Sequence, residues 1–399
     1  MTRGIDRRGF LAAGGAALLG LAGCSGRSGT DGAGDGPGDG GTTSAATGEP
    51  SPGTDEPADW PTPTDPPATV PLASERLPTH HGPAAVRERI VNGGPPKDGI
   101  PSVDDPSFES PAAAAEWLDP GGVVFGVARG GDARAYPQGI LAHHEIVNDV
   151  LDGDPVAVTY CPLTGTAMGF ERGETTFGVS GDLVNSNLVM YDRATDSRWP
   201  QMLATAVEGP YAGGSLREFP VAWTTLAAWR TAHPDTAVLS RDTGYARNYA
   251  NDPYGGYNPR VGYYDSNRLL FPALETADRD APGLKEVVSG VRVDGVVAAF
   301  LKRTLRETGV RSTAADGGRL VAVHDPALDV ARVYRNPDGA TVEPDNSSGG
   351  RPADGSAAGV VRVDGDAHPP DDLPLPAVRS FDAMWFAWYG FYPDGTLVV

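Results

Sequence analysis

The sequence predicts an α+β fold that is rich in strands, in which one unit is repeated and short helices pack on antiparallel sheets. From residue 122 onward, short apolar segments alternate with turn residues, which is typical of antiparallel hairpins. Helical periodicity is confined to short segments such as 223–233, which Pro234 ends. The chain also matches itself at a constant spacing, which indicates a duplicated unit.

Residues 1–23 have the features of an export signal. Arg7 and Arg8 form a twin-arginine signature, and the apolar run at 11–22 is too short to remain as a membrane-spanning helix. The run ends in Leu-Ala-Gly-Cys, so we expect cleavage there and lipidation of Cys24. The sequence thus predicts an exported protein, anchored by its lipid to the extracytoplasmic face of the cell membrane.

Residues 24–72 are rich in Gly, Asp, Ser, Thr and Pro, with Trp60 as the single aromatic residue. Such a segment buries too little apolar surface to offset its ordering entropy. We therefore predict a disordered tether between the lipid anchor and a folded domain.

The composition is acidic, with 52 Asp and Glu against 32 Lys and Arg and a net charge of -20. Lysine is nearly absent: Lys97, Lys285 and Lys302 are the only ones. This balance fits either a protein that faces strong brine or an exported protein from a GC-rich genome. In both cases nucleic acid is excluded as a partner, because phosphates would be repelled.

The first unit, predicted for residues 73–280, has apolar residues at helical spacing within 78–94 and then a short helix with Ser110 at its cap and Pro111 in its first turn. A hairpin follows at 123–136, an extended segment at 143–149 and a second hairpin at 156–167. Further strands are predicted at 175–180 and 183–191, before the helix at 223–233. The second unit is predicted for residues 281–399.

The internal match rests on several blocks at one offset. Gly126 aligns with Gly290 and Pro162 with Pro326, both at a shift of 164 (290 − 126 = 164). Trp229 aligns with Trp388 at a slightly smaller offset. Features present in both units are expected to be structural, because both units need the same core. Features confined to one unit are not needed for that core and can serve a function.

Two chemical features belong to the first unit alone. Cys161, the only thiol of the predicted domain, aligns with Asp325. The stretch 143–145, His-His-Glu, aligns with 307–309, which carries no histidine. The second unit therefore appears as a degenerate copy.

Several blocks of the sequence resemble the DUF3179 family, a family of unknown function. They are the segments 144–149, 158–166, 177–181, 185–193 and 239–245. The resemblance covers residue 95 to the C-terminus in order and spacing. It implies domain identity and an exported setting, and it implies no activity.

The sharpest chemical hypothesis is a site formed by Cys161 and His144. Thiolate and imidazole together suit copper or zinc. In the redox or nucleophilic variant, His144 lowers the pKa of the thiol while Glu145 or Asp149 orients the ring. The alternative is a packed, inert cysteine beside a hydrogen-bonded histidine, and the sequence has no CxxC, HxH or HExxH spacing.

A second hypothesis is a non-catalytic recognition module. A ligand pocket is predicted along one polar strand, formed by Asp182, Asn185, Asn187, Asp192 and Arg193. The tyrosine-rich loop, residues 245–267, has six tyrosines and suits sugar or peptide recognition. The alternatives are a solvated strand face and a loop whose rings pin it to the domain. Motifs for phosphate, dinucleotide, haem or serine-hydrolase chemistry do not occur.

Overall fold

The computed structural model describes residues 60–277, 282–315, 318–345 and 359–399. The predicted signal peptide, Cys24 and most of the predicted tether lie outside these residues. The described residues belong to one compact unit. Within the described ranges, no helix has the length and apolar character needed to cross a bilayer.

The structure corrects the end of the predicted tether. Trp60 and Val70 are buried in the largest apolar core, and Leu72 bridges to Leu216. The Tyr211 hydroxyl lies 2.8 Å from Thr69 Oγ1 and accepts from the backbone N–H of Val70 at 3.0 Å. Residues 60–72 are thus held by the domain, because one aromatic and one aliphatic side chain are enough to dock them.

A short N-terminal region precedes the two halves of the domain. Its second helix, α2 (Pro111–Ala114), begins as predicted, with Ser110 Oγ accepting from the N–H of Ala113 at 3.2 Å and Pro111 in the first turn. The elements of this region are α1 (Pro83–Glu88), β1 (Val91–Asn92), β2 (Phe108–Glu109) and α2 (Pro111–Ala114).

The N-terminal half, residues 123–239, contains eleven strands and two helices. They are β3 (Val123–Arg129), β4 (Asp132–Pro137), α3 (Gln138–His144), β5 (Ile146–Leu151), β6 (Asp154–Cys161), β7 (Thr166–Glu171), β8 (Phe177–Val184), β9 (Asn187–Asp192), β10 (Arg198–Pro200), β11 (Glu218–Phe219), β12 (Ala222–Thr225), α4 (Leu226–Ala232) and β13 (Ala237–Leu239). A 3-10 helix at Gly262–Asp265 lies in the tyrosine-rich loop that follows.

The C-terminal half, residues 287–398, repeats this order in its described parts. Its elements are β14 (Val287–Val293), β15 (Val296–Leu301), α5 (Lys302–Thr308), β16 (Val310–Ala315), β17 (Gly318–Asp325), β18 (Val330–Arg335), β19 (Val342–Pro344), β20 (Val361–Val363), β21 (Asp366–His368), β22 (Ala377–Val378), β23 (Phe381–Met384), α6 (Trp385–Phe391) and β24 (Thr396–Val398).

Corresponding sheets have the same connectivity in the two halves. The sheet β12-β3-β4-β13-β2 corresponds to β23-β14-β15-β24, and in each the last shared pair is parallel while the others are antiparallel. The sheet β11-β7-β6-β5 corresponds to β22-β18-β17-β16. The prediction of a β-rich fold with short helices and antiparallel sheets is confirmed.

One packing contact recurs in both halves. A Cβ on Gly126 would lie 2.3 Å from the ring of Trp229, and one on Gly290 would lie 2.0 Å from the ring of Trp388. Each tryptophan lies on the helix that follows an edge strand, β12 or β23, and packs across the strand next to that edge, β3 or β14. Only glycine allows this approach, which explains why both residue types match between the halves.

Two predicted strands differ from the structure. The strands expected at 175–180 and 183–191 are β8 and β9, and β8 continues through Gly181 and Asp182. The turn falls instead at Asn185 and Ser186, whose φ values are 56° and 58°. Such a turn follows the twist of a two-stranded ribbon, and asparagine tolerates its left-handed conformation.

Candidate functional site

His144 ends helix α3 rather than lying in an extended segment, which corrects the prediction for residues 143–149. Its Nδ1 donates to the carbonyl oxygen of Pro101 at 2.7 Å, which leaves Nε2 to accept from the hydroxyl of Tyr249 at 2.7 Å. The side chain is buried, and burial lowers the pKa of His144, with Arg247 and His143 acting in the same direction. The ring is therefore neutral, and both of its nitrogens are engaged.

Cys161 is the last residue of β6 and is 1% exposed. Its Sγ lies 3.7 Å from the carbonyl oxygen of Ser186. Burial, with a contribution from Glu145, raises the pKa of Cys161 to about 11. A thiol of this kind stays protonated at neutral pH and is a poor nucleophile.

Glu145 is the most unusual residue near this thiol. It caps α3 in the left-handed region, at φ 57°, where its counterpart in the C-terminal half is Gly309 at φ 76°. It is 6% exposed, and burial raises the pKa of its carboxyl to about 8. A buried acid in a conformation that favours glycine is costly, and such costs are typical of functional positions.

The structure therefore gives Cys161 and His144 separate partners. Tyr249 and Pro101 hold the imidazole, whereas the thiol faces the carbonyl of Ser186. Within the described ranges, no group of three or more His, Cys, Asp or Glu side chains is placed to hold a metal ion. A copper or zinc site at this pair stays a prediction without a supporting geometry.

The five polar residues predicted to line a ligand pocket are dispersed over two strands and their turns. Asn185 donates to the carbonyl of Ala387 and accepts from the N–H of Leu274. Asn187 donates to Gln201 Oε1 at 2.9 Å, and Asp182 pairs with Arg198. Their polar atoms therefore hold the chain together.

Asp192 and Arg193 are engaged in the same manner. Asp192 accepts from the N–H of Thr195 and from Trp199 Nε1. Arg193 forms ion pairs with Asp98 and Asp104, both at 3.1 Å. These contacts fix the loop before β2 against the end of β9.

The tyrosine-rich loop covers the end of β6 in the N-terminal half. The Tyr263 hydroxyl donates to the carbonyl of Leu163 at 2.7 Å. Gln138 of α3 donates to Asp252 at 2.6 Å, and Tyr264 lies 3.1 Å from the Tyr160 hydroxyl. Most rings of the loop are thus packed, which is the structural alternative of the sequence-based interpretation.

The exception is the part of the loop that forms one wall of a cleft between the halves. This inter-half cleft has a volume of about 640 Å³. The N-terminal half contributes Trp223 and Thr224 of β12, and the loop contributes Tyr257 and Arg260. The C-terminal half contributes charged residues of α5 and neighbouring segments, which are Lys302, Arg303, Arg306, Glu286, Asp329 and Asp382.

Ion pairs neutralise most of these charges. Lys302 pairs with Asp382 at 2.5 Å, Arg306 with Asp329 at 2.5 Å and Arg303 with Glu286 at 3.0 Å. Arg260 differs, since its guanidinium donates to the carbonyl of Lys285 at 2.8 Å and to the Tyr257 hydroxyl at 2.9 Å. It has no carboxylate partner among the described residues, so the lining carries one excess positive charge.

The cleft also has an aromatic wall and an unused hydroxyl. The rings of Trp223 and Tyr257 lie 4.6 Å apart at 44°. Thr224 is 4% exposed, and its Oγ1 has no hydrogen-bond partner among the described residues. A buried hydroxyl without a partner is uncommon and marks a position where a ligand or water group would be stabilised.

The charged wall of the cleft was detectable in the internal match of the sequence but was not singled out. Lys302, Arg306 and Asp329 stand where the N-terminal half has Gln138, Ala142 and Gly165. This difference indicates that the surface is charged in the C-terminal half and covered by other residues in the N-terminal half. Thr224 gave no signal, because its missing partner is a property of packing.

Comparison with known proteins gives one match. A family model described as "Protein of unknown function (DUF3179)" matches residues 97–395. No curated protein matches the chain. No solved structure matches it either.

Proposed function

Because the chain belongs to the DUF3179 family, whose activity is unknown, we propose a function from the geometry: it is a recognition protein that binds a small molecule in the inter-half cleft. The observation that carries this proposal is the cleft itself, which is about 640 Å³ and joins an aromatic wall to fixed charged groups. Concave sites of this size with a few placed polar groups are typical of ligand binding.

The proposal extends to the position of the protein in the cell. The twin-arginine signature and the Leu-Ala-Gly-Cys box support export and lipidation at Cys24. The lipid would place the domain at the extracytoplasmic face of the membrane, with membrane lipid as its one constant partner. Cys24→Ser should move the protein from the membrane fraction to the soluble extracytoplasmic fraction.

We also infer that the two halves arose by duplication of one unit. Six successive elements, from β3 to β7 and from β14 to β18, begin and end at positions that differ by 164 residues (287 − 123 = 164). The edge strand, helix and final strand match at a shift of 159 (385 − 226 = 159). A binding cleft between two such copies is a natural place for new function, because neither copy needs that surface for its own core.

A thermal-shift screen tests the recognition proposal. A bound ligand stabilises the folded state by about 2.7 kcal/mol at a hundred times its Kd, so polar small molecules that bind should raise the Tm. The shift should be lost in Trp223→Ala and kept in Trp117→Ala, whose indole lies outside the cleft lining. Circular dichroism of both variants controls for folding. A hit that shifts Trp223→Ala as much as the native protein would contradict the proposal.

The second candidate function is thiol or metal chemistry at Cys161. It is supported by the strained backbone of the buried acid Glu145 at φ 57°, although this acid raises rather than lowers the pKa of the thiol. Elemental analysis and thiol labelling separate the two candidates. Recognition alone predicts that Cys161 reacts with an aromatic disulfide reagent only after unfolding. Rapid labelling of the native protein, or one bound metal per chain that is lost in Cys161→Ala, would favour the second candidate.

A further inference from the structure

We infer that the ligand of the inter-half cleft carries a carboxylate on a ring, with Arg260 as the group that recognises the carboxylate. This inference rests on the proposed function and adds the chemical class of the ligand.

Arg260 is the cation of the cleft lining that has no carboxylate partner among the described residues, whereas Lys302, Arg303 and Arg306 each have one. Lys285, which lies next to Arg260 through its own carbonyl, also lacks a carboxylate partner among the described residues. Its ammonium donates to the carbonyls of Tyr263 at 2.5 Å and Arg268 at 2.9 Å. The Lys285 ammonium does not line the cleft, but it lies near Arg260 and adds to the positive potential around the guanidinium.

The Arg260 side chain is held in place before any ligand arrives. Two of its five N–H donors bind the Lys285 carbonyl and the Tyr257 hydroxyl, and its Cζ lies 4.8 Å from the centroid of the Tyr257 ring. The remaining N–H groups are available to a carboxylate, for which the planar guanidinium fork is well suited. Because the side chain is already ordered, binding an anion costs little additional conformational entropy.

The aromatic wall of the cleft is the reason to expect a ring in the ligand. Trp223 and Tyr257 line the cleft beside Arg260, and flat rings give contact area at low entropic cost. A sugar acid and an aromatic acid both satisfy this chemistry, so the probes must distinguish them.

Isothermal titration calorimetry with matched probes tests the inference on the native domain. The probes are glucuronate against glucose, and 4-hydroxybenzoate against p-cresol. We expect one acid to bind at least tenfold more tightly than its neutral partner, since hydrogen bonds to charged groups contribute about 1.5–3 kcal/mol. The acid that binds identifies the source of the ring.

Variants locate the effect. Arg260→Gln should remove the tenfold preference for the acid, whereas Arg241→Gln should keep it. Arg241 is the matched control because it also lies over an aromatic ring, that of Trp117 at 4.9 Å, outside the cleft lining. Circular dichroism and the Tm verify that both variants fold.

Two results would overturn the inference in distinguishable ways. If glucose or p-cresol binds as tightly as its acid, and Trp223→Ala abolishes that binding, the carboxylate is excluded while the recognition function stands. If no probe binds, the ligand class is wrong; if the thermal-shift screen also fails, the recognition function falls with it.

Discussion

The two halves of the domain have the same order of strands and helices and differ in what covers the end of their second hairpin. In the N-terminal half, the tyrosine-rich loop covers the end of β6, and the thiol of Cys161 is buried beneath it. In the C-terminal half, the equivalent surface at the end of β17 is part of the open inter-half cleft. The end of this hairpin is therefore covered in the N-terminal half, whereas in the C-terminal half it lines a cleft.

The residues at matched positions follow this difference. Where the loop packs, the N-terminal half has small or neutral residues such as Gly139, on which a Cβ would lie 2.9 Å from the carbonyl of Tyr249. Where the cleft is open, the C-terminal half has Arg303 at the same position. Coverage, rather than the scaffold, decides which residues each half can carry.

The largest expected effect is the difference in stability loss between a change at the charged Lys302 and one at its neutral counterpart, Gln138. Lys302→Met should lower the free energy of unfolding by about 3–5 kcal/mol, because it leaves Asp382, whose side chain is 12% exposed, without its partner at 2.5 Å. Gln138→Met, at the matched position, should cost about 1–3 kcal/mol, since it removes a neutral donor to Asp252. Urea unfolding of both variants measures the difference. Equal losses would show that the two surfaces are not distinguished by charge.

The second expected effect concerns the acid that only the N-terminal half carries. The folded state raises the pKa of Glu145 from 4.5 to about 8, so between these values the folded protein binds the extra proton. Stability from this group is therefore full below pH 4.5 and is lost as the pH rises toward 8, at about 1.4 kcal/mol per pH unit. The lowered pKa values of His81, His144 and His233, which burial causes, act in the opposite direction.

The measurement is the difference in unfolding free energy between the native protein and Glu145→Gln from pH 5 to pH 8. The histidines are present in both proteins, so their contribution cancels in the difference. The free energy of unfolding of Glu145→Gln, relative to that of the native protein, should increase steadily as the pH rises. A difference that stays constant with pH would mean that the carboxyl is not held protonated by burial.

The smallest expected effect tests whether the two halves are equivalent where their cores agree. Gly126→Ala and Gly290→Ala should each cost about 1–3 kcal/mol, because the added methyl group collides with Trp229 or Trp388. Gly283→Ala is the control, since its Cβ would meet Glu286 at an ordinary 3.6 Å. Losses that differ severalfold between the two core glycines would argue against a shared scaffold.

Much of the fold could be predicted from local patterns, and the failures have identifiable causes. The hairpins at 123–136 and 156–167 were clear because their apolar alternation matches a pleated sheet. The turn at Asn185 was misplaced because Gly181 and Asp182 gave the more familiar turn signal. The extended prediction for 143–149 fails at His143 and His144, because they belong to a helix of seven residues, which is too short to show a clear apolar period.

The candidate site was less predictable. The thiol, the histidines and the loop tyrosines were all identified, yet Tyr249 takes the nitrogen of His144 that a site with Cys161 would need. That contact joins residues 105 positions apart, and no local pattern encodes it. The cleft combines β12, the tyrosine-rich loop and α5, which are distant in sequence for the same reason.

By itself, the sequence determined the strand-rich class, the acidic net charge and the family. These properties depend on residue type and spacing, which a chain carries before it folds. Only the tertiary structure decided which surface is covered and which is open, and which cation lacks a counter-charge. Burial and pairing are properties of distant segments brought together, so they exist only once the halves have packed.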